Sequence, residues 1–374
     1  MRIGFDGKRA FHNATGLGNY SRDLLKLVAT FFPKNKYFVY NTKLKRIDRL
    51  SSFHNIIEKL PESAFWKKFS SIWRQGPILK QMKKDELQLY HGLSGEIPRG
   101  IKKTGIPSVV TIHDLIFVRY PELYSFFDRK IYFNKFKYAA QNADKIIAIS
   151  EQTKKDIIDF LNIDASKVKV IYQGCHSVFK DRVSQAKKLE VKGKFKLPDR
   201  FILNVGTIEE RKNLLSVLRS IKNLNISLVV IGRKTNYFQT VLKFIEDNNM
   251  NNQVHFLEAV NLTELATIYQ MASIFVYPSF FEGFGIPIIE ALYSKTPVIT
   301  TKGGVFPEAG GPDTIYVNPN NTLEISEAIV HILGDDCKHD EIAEKGYTFV
   351  QKFNDDVISN NMMNLYMSIL NERN

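Results

Sequence analysis

The stretch YPSFFEGFGIPIIEALYSK, residues 277–295, follows directly on the apolar run 273–276. A short apolar run bounded by turn residues predicts a buried strand. Gly283 and Gly285 predict a tight turn after this strand, and Pro287 is well suited to the first position of a helix. The stretch therefore predicts a strand, a glycine turn and a helix in succession.

Two carboxylates flank the glycine turn: Glu282 on the loop, and Glu290, which we expect in the first helical turn. A helix start presents unpaired N–H groups and the positive end of its dipole, which together suit a phosphate. Carboxylates accept hydrogen bonds from sugar hydroxyls. The stretch is compatible with a bound phosphorylated sugar, and equally with a plain connection in which Glu290 only complements the helix dipole.

Strand-length apolar runs alternate with helical periodicity along the whole chain, which predicts an α/β fold. The loop-like, basic segment 173–200 divides this alternation, so we predict one domain at residues 1–180 and a second at 181–354. The other predicted strands are 2–6, 36–41, 87–91, 107–112, 144–150, 167–172, 201–205, 227–231, 254–260 and 296–300.

Two loops in the first half carry candidate binding residues. Gly16 and Gly18 precede a helical pattern, so their loop is either a cradle for an anion or a sugar, or a structural turn. The loop lacks the third glycine of the dinucleotide motif G-x-G-x-x-G. His113 follows the predicted strand 107–112, at the sheet edge where α/β proteins bind ligands, although a single histidine there is often structural.

A third loop, in the second half, follows the predicted strand 201–205. Its Gly206 permits a close backbone approach, and Arg211 with Lys212 stands just before a helix that we expect to begin near Asn213. Two cations beside a helix start form a suitable site for a diphosphate. An exposed basic pair is the alternative interpretation.

The segment 63–84, SAFWKKFSSIWRQGPILKQMKK, mixes aromatic and basic residues and contains both tryptophans. It predicts either an interfacial membrane segment or a helix whose aromatic residues belong to the core. Residues 1–190 carry 35 Lys and Arg against 18 Asp and Glu, whereas the remainder carries 17 against 21. A basic first half suits anionic lipid, nucleic acid or a phosphorylated acceptor, and also an ordinary solvated surface.

Motifs of several enzyme classes are missing from the sequence: the nucleophile elbow, the zinc-protease helix, the P-loop and paired cysteines. No D-x-D follows a strand, so we expect neither a metal nor a cofactor. Cys175 and Cys337 are far apart and are typical of thiols in a cytosolic protein. The first residues turn polar too soon for a signal peptide, and we expect a cytoplasmic location.

Glu282 and Glu290, with seven residues between them, resemble the E-x7-E motif of retaining glycosyltransferases of family 4, which have the GT-B fold. The string EGFGIPIIEAL strengthens the resemblance, and GLGNY, TIHDLIF and VGTIEERKN are similar to other segments of that family. The resemblance implies two Rossmann-like, doubly wound parallel-sheet domains that face each other across a cleft. The first would bind the acceptor and the second the nucleotide sugar, with residues 355–374 crossing back to the first.

The resemblance also implies roles for the matching residues. Arg211 and Lys212 would bind the donor diphosphate, and Thr207 stands where some members have a third cation. Glu282 would bind the 3- and 4-hydroxyls of the sugar, and Glu290 the ribose diol. His113 would lie near the reacting carbon. The other substrate-binding residues that the resemblance implies are Gly16, Gly18, Gly206, Phe284, Gly285 and Ile286.

The expected function is metal-independent, retaining transfer of a hexosyl unit from a nucleotide sugar to a glycan or lipid-linked acceptor in cell-surface polysaccharide synthesis. The resemblance is greatest to mannosyltransferase-like members, which favours GDP-mannose as the donor. A UDP-sugar transferase and a GT-B-like sugar-nucleotide epimerase are the alternatives. A basic module that binds RNA or membrane is a third class, which the paired glutamates disfavour. We expect no nucleic-acid partner, and peripheral contact of the basic first domain with the inner face of an anionic membrane remains an alternative.

Overall fold

Thirteen strands form two separate parallel sheets in the computed structural model, which describes residues 1–44, 50 and 52–373. The chain divides into two units. Unit 1 contains Met1–Gln173 and Asn354–Asn374, and unit 2 contains Gly174–Phe353. Each unit holds one sheet whose strands are joined by helical crossovers, so the prediction of two Rossmann-like, doubly wound domains is confirmed.

The sheet of unit 1 consists of β1 (Arg2–Asp6), β2 (Lys36–Tyr40), β3 (Ile56–Lys59), β4 (Leu89–Gly92), β5 (Ser108–Ile112), β6 (Lys145–Ala148) and β7 (Val168–Val170). Its strand order is β3-β2-β1-β4-β5-β6-β7. The sheet of unit 2 consists of β8 (Phe201–Val205), β9 (Ser227–Ile231), β10 (Val254–Leu257), β11 (Ile274–Tyr277), β12 (Val298–Thr301) and β13 (Ile315–Val317). Its strand order is β10-β9-β8-β11-β12-β13.

The helices of unit 1 are α1 (Lys8–His12), α2 (Gly16–Phe31), α3 (Ala64–Lys68), α4 (Ser70–Trp73), α5 (Ile78–Lys84), α6 (Ile116–Arg119), α7 (Phe126–Asn142), α8 (Glu151–Leu161) and, from the end of the chain, α17 (Asp355–Asn371). Unit 2 contains α9 (Gln185–Phe195), α10 (Leu214–Ile221), α11 (Phe238–Asp247), α12 (Leu262–Tyr269), α13 (Ile286–Tyr293), α14 (Phe306–Gly310), α15 (Thr322–Leu333) and α16 (Asp336–Val350). Serine caps observed at Ser125, Ser150 and Ser184 fix the starts of α7, α8 and α9.

The central strands are buried on both faces because helices cover each sheet. Every residue of β5 and of β11 is buried, and both strands are apolar apart from Ser108, Thr111 and Tyr277. Continuous apolar runs of this kind are typical of parallel sheets. α17 packs on α2 within unit 1, where Met362 and Tyr366 join the same hydrophobic cluster as Leu25.

In each sheet the strand order reverses beside the first strand of the unit. In unit 2 this reversal lies between β8 and β11, and in unit 1 between β1 and β4. Ligands of doubly wound proteins bind outside the carboxyl ends of the strands at such a reversal. The loops that follow β8 and β11 are therefore the first place to look for a site in unit 2.

Several sequence predictions of local structure were wrong. β3 and β13 were not predicted, because each is a short run whose residues are only partly buried except for Val317. The expected linker at 173–200 contains α9, an eleven-residue helix. α7 begins at Phe126, and only Ala139 and Ala140 of this helix are buried.

The segment 63–84 places some of its aromatic residues in the core and leaves others exposed. It forms α3, α4 and α5, and Trp73 is a core residue that is 2% exposed. Trp66 is partly buried against the same core, whereas Phe65 and Ile72 are exposed. Within the part of the chain that the structure describes, no helix combines the length and hydropathy that a membrane span requires.

Candidate active site

Two glycines hold the loop after β8 in position. Gly206 has a φ of +149°, which side-chain-bearing residues rarely adopt, and its N–H donates to the carbonyl of Ile231 at 2.9 Å. A Cβ atom on Gly232 would lie 1.7 Å from the carbonyl oxygen of Gly206, so this position also requires glycine. The side chain of Lys212 lies beside this loop: its Cε would be 3.7 Å from a Cβ atom placed on Gly206.

Arg211 and Lys212 lie in a 3-10 turn between β8 and α10. The turn ends at Asn213, which has a φ of +59°. Its Nδ2 donates to the carbonyl oxygens of Pro278, at 3.1 Å, and Pro319, at 2.8 Å. Asn213 therefore ties the two cations to the loop after β11. The sequence prediction used Asn213 only as a helix start, although asparagine's tolerance of left-handed backbone was an available signal.

Four polar groups of the protein surround one carboxylate oxygen of Glu282. Its Oε1 accepts from Nζ of Lys212 at 2.6 Å and lies 3.0 Å from Nη1 of Arg211. The hydroxyls of Tyr277 and Ser279 donate to the same atom at 2.9 and 2.7 Å. The side chain keeps 12% of its surface exposed. Oε1 is thus occupied by protein groups.

The charges around Glu282 determine its protonation. Burial raises the pKa of Glu282, but the positive charges of Lys212 and Arg211 outweigh this effect and lower the pKa to about 2. Burial, assisted by the charge of Arg211, lowers the pKa of Lys212 in spite of the attraction to Glu282. Burial also disfavours the charged form of Arg211, but Glu282 and Glu209 more than compensate and raise its pKa. The carboxylate is therefore ionised at physiological pH and lies against two cations.

Glu290 lies in a different environment from Glu282. It is the fifth residue of α13, so the prediction that it lies in the first helical turn was wrong: the helix begins at Ile286, after Gly285 in left-handed conformation. The hydroxyl of Tyr269 donates to its Oε2 at 3.1 Å. Burial raises the pKa of Glu290 to about 8, opposed only in part by the hydrogen bond from Tyr269.

The three residues that precede Pro287 differ in what they can offer a ligand. The ring of Phe284 is 2% exposed and packs edge-on against Phe353, with centroids 5.4 Å apart, so its side chain belongs to the core. Gly285 has a φ of +113° and caps α13, and Ile286 is the first residue of that helix. Backbone N–H groups at a helix start have no acceptor within the helix. Phe284 and Gly285 can therefore contact a ligand only through the backbone, whereas the side chain of Ile286 is half-buried.

In unit 1 the predicted glycines occupy different environments. Gly18 lies in the first turn of α2, and a Cβ atom there would be 1.8 Å from the carbonyl oxygen of Asn13. Gly16 is exposed, and a Cβ atom there would meet nothing within 4 Å. Gly18 thus has a structural reason to be glycine, whereas Gly16 has none within the protein. Arg22, which sequence reasoning passed over, is buried and donates to the carbonyls of Ala10 and Asn13, which clamps this loop.

His113 follows β5 and contacts Tyr20 of α2 in the same unit. Its Nε2 is 2.9 Å from the carbonyl oxygen of Leu93, and its ring packs edge-on against Tyr20, with centroids 4.5 Å apart. Burial lowers the pKa of His113 to about 4, so the ring is neutral at pH 7. A carbonyl oxygen only accepts hydrogen bonds, so Nε2 carries the hydrogen and Nδ1 the lone pair. The structure thus brings His113 against the helix that begins at Gly16.

A buried hydrogen-bond chain leads from Tyr20 to the last helix. Its hydroxyl lies 3.2 Å from Oγ1 of Thr111, which lies 2.7 Å from Nε2 of His91. Nδ1 of His91 lies 2.6 Å from the hydroxyl of Tyr366 on α17. Burial lowers the pKa of His91 to about 3. No sequence pattern indicates this series of hydrogen bonds, because its members come from four separated elements.

In the part of the chain that the structure describes, no group of three or more His, Cys, Asp or Glu side chains is arranged to hold a metal ion. Cys175 and Cys337 are both free thiols. The charged groups that gather at the ends of β8 and β11 include Arg211, Lys212, Glu282 and Glu209.

Comparison with known sequences identifies the two halves separately. Residues 43–177 match the model of Glycosyltransferase Family 4, and residues 185–349 match that of Glycosyl transferases group 1. O-antigen chain mannosyltransferase B of Escherichia coli is 25% identical over 98% of this chain and 99% of its own length. O-antigen chain mannosyltransferase RfbU of Salmonella typhimurium is 32% identical over 60% of each chain.

A solved structure from Anabaena, Alr3699/HepE in complex with UDP and glucose, has the same architecture. It superimposes with a TM-score of 0.74 and 18% sequence identity, covering 98% of this chain and 99% of its own. At that identity the likeness establishes the fold. With both sequence models matched and the architecture shared, the chain belongs to the group 1, family 4 glycosyltransferases of the GT-B fold.

Proposed function

We propose that this glycosyltransferase moves a mannosyl unit from GDP-mannose to a hydroxyl of a glycan or lipid-linked acceptor, with retention at the anomeric carbon, in the synthesis of a cell-surface polysaccharide. The observation that carries the proposal is the meeting of Arg211, Lys212 and Glu282 at the carboxyl ends of β8 and β11. The names of the Escherichia coli and Salmonella relatives favour mannose.

The two cations, Arg211 and Lys212, can stabilise the negative charge of the leaving group. A nucleoside diphosphate gains negative charge as the sugar bond breaks, and fixed cations stabilise that charge without reorganisation. Arg211 retains further N–H donors beside its contacts with Glu209 and Glu282, and Lys212 lies next to the backbone of Gly206. These groups are the proposed diphosphate site, and their charge is the reason that we propose transfer without a metal ion.

The two glutamates bind different parts of the donor in this proposal. Oε2 of Glu282 accepts hydrogen bonds from the 3- and 4-hydroxyls of the sugar, since Oε1 is already satisfied by the protein. Glu290 binds the ribose diol. Backbone N–H groups at Gly285 and Ile286, at the start of α13, face the phosphates.

Unit 1 supplies the acceptor side of the reaction. We assign His113 to the neighbourhood of the reacting carbon, with Nδ1 as a hydrogen-bond acceptor, and Gly16 to the loop that approaches the acceptor and the donor phosphate. In the step itself the bond from the anomeric carbon to the phosphate oxygen breaks. The acceptor oxygen bonds the same face of that carbon, and its proton passes to the departing phosphate oxygen.

The base and the hexose are tested by ligand binding and product analysis. GDP, UDP and ADP are compared by thermal shift, because a ligand that binds only the folded state raises its stability. We expect GDP to raise the melting temperature most. UDP would do so instead if the donor is a UDP-sugar, which the UDP complex of the Anabaena protein makes the leading alternative. GDP-mannose and an acceptor glycan are then incubated with EDTA, and NMR of the product gives the anomeric configuration.

Arg211→Ala and Arg200→Ala are a matched pair for this assay. Arg211 contacts Glu282, whereas Arg200 bonds a carbonyl oxygen of α15 elsewhere in unit 2. We expect the first change to abolish transfer and the second to leave it intact. Rearrangement of the donor without acceptor would indicate an epimerase, and no response to any nucleotide would refute the proposal. Loss of activity with EDTA would refute metal independence alone.

We further propose a cytoplasmic location with peripheral attachment at the inner face of the membrane through basic unit 1, and no nucleic-acid partner. The excess of cations in residues 1–190 supports this attachment.

A further inference from the structure

Half of the large apolar side chains that are exposed in the described residues lie on two short segments of unit 1. Soluble proteins usually scatter such residues singly, and a local concentration marks an interaction site. Six of them define what we call the aromatic surface: Phe65, Phe69, Ile72, Phe126, Phe127 and Ile131, which are 40–76% exposed.

Both segments are fixed to the core beneath them. On the first, Trp66 packs into the core while the neighbouring ring of Phe65 contacts Phe69, with centroids 5.0 Å apart. On α7, Phe133 and Phe136 pack into the same core. The exposed rings are therefore held outward by ordered helices.

One carboxylate joins the two segments. Glu96 contacts Arg74, the residue that ends α4, and its Oε1 lies 3.5 Å from Nζ of Lys135 on α7. Ile131 lies one helical turn before Lys135, and Phe127 lies two turns before it. The end of α4 and α7 therefore meet at Glu96, and both segments pack on the same core.

The charges around the aromatic surface are mainly positive. The segment 63–84 contains six Lys and Arg residues and no carboxylate, and 123–137 contains four against Asp128 alone. Lys67, Lys68 and Lys130 are exposed among the apolar side chains. Protein interfaces are depleted in lysine, and bases stack on aromatic rings rather than on isoleucine. Phenylalanine and isoleucine interleaved with lysine suit the headgroup region of an anionic bilayer.

We propose that the aromatic surface is the membrane-docking face of this protein, with its apolar side chains among the acyl chains and its lysines at anionic headgroups. The proposal places the attachment on two juxtaposed segments rather than on the basic charge of unit 1 as a whole. It does not depend on the donor or the reaction.

The test is flotation of the full chain with vesicles of phosphatidylcholine alone or of an equimolar mixture with phosphatidylglycerol. We expect binding to the mixed vesicles that weakens with salt. Phe127→Ser with Ile131→Ser should reduce partitioning at least tenfold, because two exposed side chains no longer enter the bilayer. Lys67→Gln with Lys68→Gln should reduce it about 25-fold, since each lysine near such a surface contributes about fivefold.

Matched controls come from unit 2. Leu189→Ser with Leu323→Ser removes equally exposed apolar side chains, and Lys222→Gln with Lys243→Gln removes exposed lysines, so both should float as the unchanged protein does. The nucleotide-induced thermal shift monitors folding in every variant.

Three outcomes would overturn the proposal: no binding to mixed vesicles, equal binding to neutral ones, or equal losses in the control variants. A dimer in sedimentation velocity that only the aromatic-surface variants dissolve, without vesicle binding, would instead assign the surface to self-association.

Discussion

Nζ of Lys212 lies 2.6 Å from Oε1 of Glu282, and the same oxygen is 3.0 Å from Nη1 of Arg211. The three charges are largely buried, with side chains 12–17% exposed. Removing one partner from such a cluster leaves an uncompensated charge in a poorly solvated place. Glu282 is therefore the counter-charge that keeps the two cations in position, in addition to its proposed role in binding the sugar.

Glu282→Gln should lower both stability and turnover. The amide cannot neutralise Arg211 and Lys212, so we expect the free energy of unfolding to fall by about 3–5 kcal/mol. The loss of a charged acceptor for the sugar hydroxyls should lower kcat/KM by about 10- to 100-fold. Urea denaturation and initial-rate kinetics measure the two effects.

The control for this change is Glu258→Gln, which breaks an exposed pair with Lys234 in the same unit. Surface pairs contribute about 0–1 kcal/mol, so stability and rate should hardly change. Equal effects of the two substitutions would mean that the cluster around Glu282 has no special role.

Stability should fall in acid through the same carboxylate. The pKa of Glu282 is lowered from 4.5 to about 2 by its two cations, so the unfolded chain binds a proton at a higher pH than the folded one. The contribution of Glu282 is then complete above pH 4.5 and is lost as the pH falls through 2, by roughly 3 kcal/mol in all. The urea midpoint should fall between pH 5 and pH 2 as this contribution is lost. In the Glu282→Gln protein the urea midpoint should fall less over the same pH range. Identical slopes in the two proteins would contradict the assignment.

Nucleotide binding should release a proton from Glu290. Its pKa is raised to about 8 by burial, so at pH 7 the free protein holds it mainly as the neutral acid. If the carboxylate accepts both ribose hydroxyls, the affinity for GDP should rise by up to tenfold per pH unit below pH 8 and level off above it. Calorimetry in phosphate and in Tris should give different apparent enthalpies that report the released proton.

Glu290→Gln supplies the comparison for that titration. The amide is neutral at every pH, so GDP should bind it more weakly, with a flat pH dependence and no buffer effect. A flat profile in the unchanged protein would show that Glu290 does not change its protonation when the nucleotide binds.

The sequence predicted the fold and the cluster at Glu282 for the same reason. Carboxyl ends of adjacent parallel strands meet at one edge, so residues that follow β8 and β11 had to approach each other once the strands were recognised. The first residues of the helices were harder to predict from the sequence. Pro287 suggested the first position of α13, but the helix begins at Ile286, which moved Glu290 out of its first turn.

Features that depend on distant contacts could not be predicted. Asn213 bonds a carbonyl 106 residues away, and Gly232 is explained only by the approach of Gly206. Trp66 and Trp73 lie in one basic segment, yet one is partly buried and the other belongs to the core. The roles of the site residues stay predictions until variants are measured.

Tyr366→Phe should destabilise unit 1 through His91. The Tyr366 hydroxyl is buried beside Nδ1 of His91, and its loss leaves a buried ring nitrogen without that partner. We expect the free energy of unfolding to fall by about 1–3 kcal/mol, as measured with urea at pH 7. Tyr132→Phe, at a side chain that is 37% exposed, is the control and should be neutral. Unchanged stability of both would show that the hydrogen-bond chain from α17 contributes nothing.

The two glycines at the start of α2 should respond oppositely to alanine. A Cβ atom at Gly18 would lie 1.8 Å from the carbonyl oxygen of Asn13, so Gly18→Ala must displace the loop and should cost about 1–3 kcal/mol. Gly16→Ala meets nothing within 4 Å and should leave urea stability unchanged or slightly higher, because alanine favours the helix. If Gly16 approaches the substrates, the same variant should lose at least tenfold in kcat/KM while remaining fully folded. Full activity of a stable Gly16→Ala protein would remove Gly16 from the site, and a stable Gly18→Ala protein would contradict the close packing of the loop.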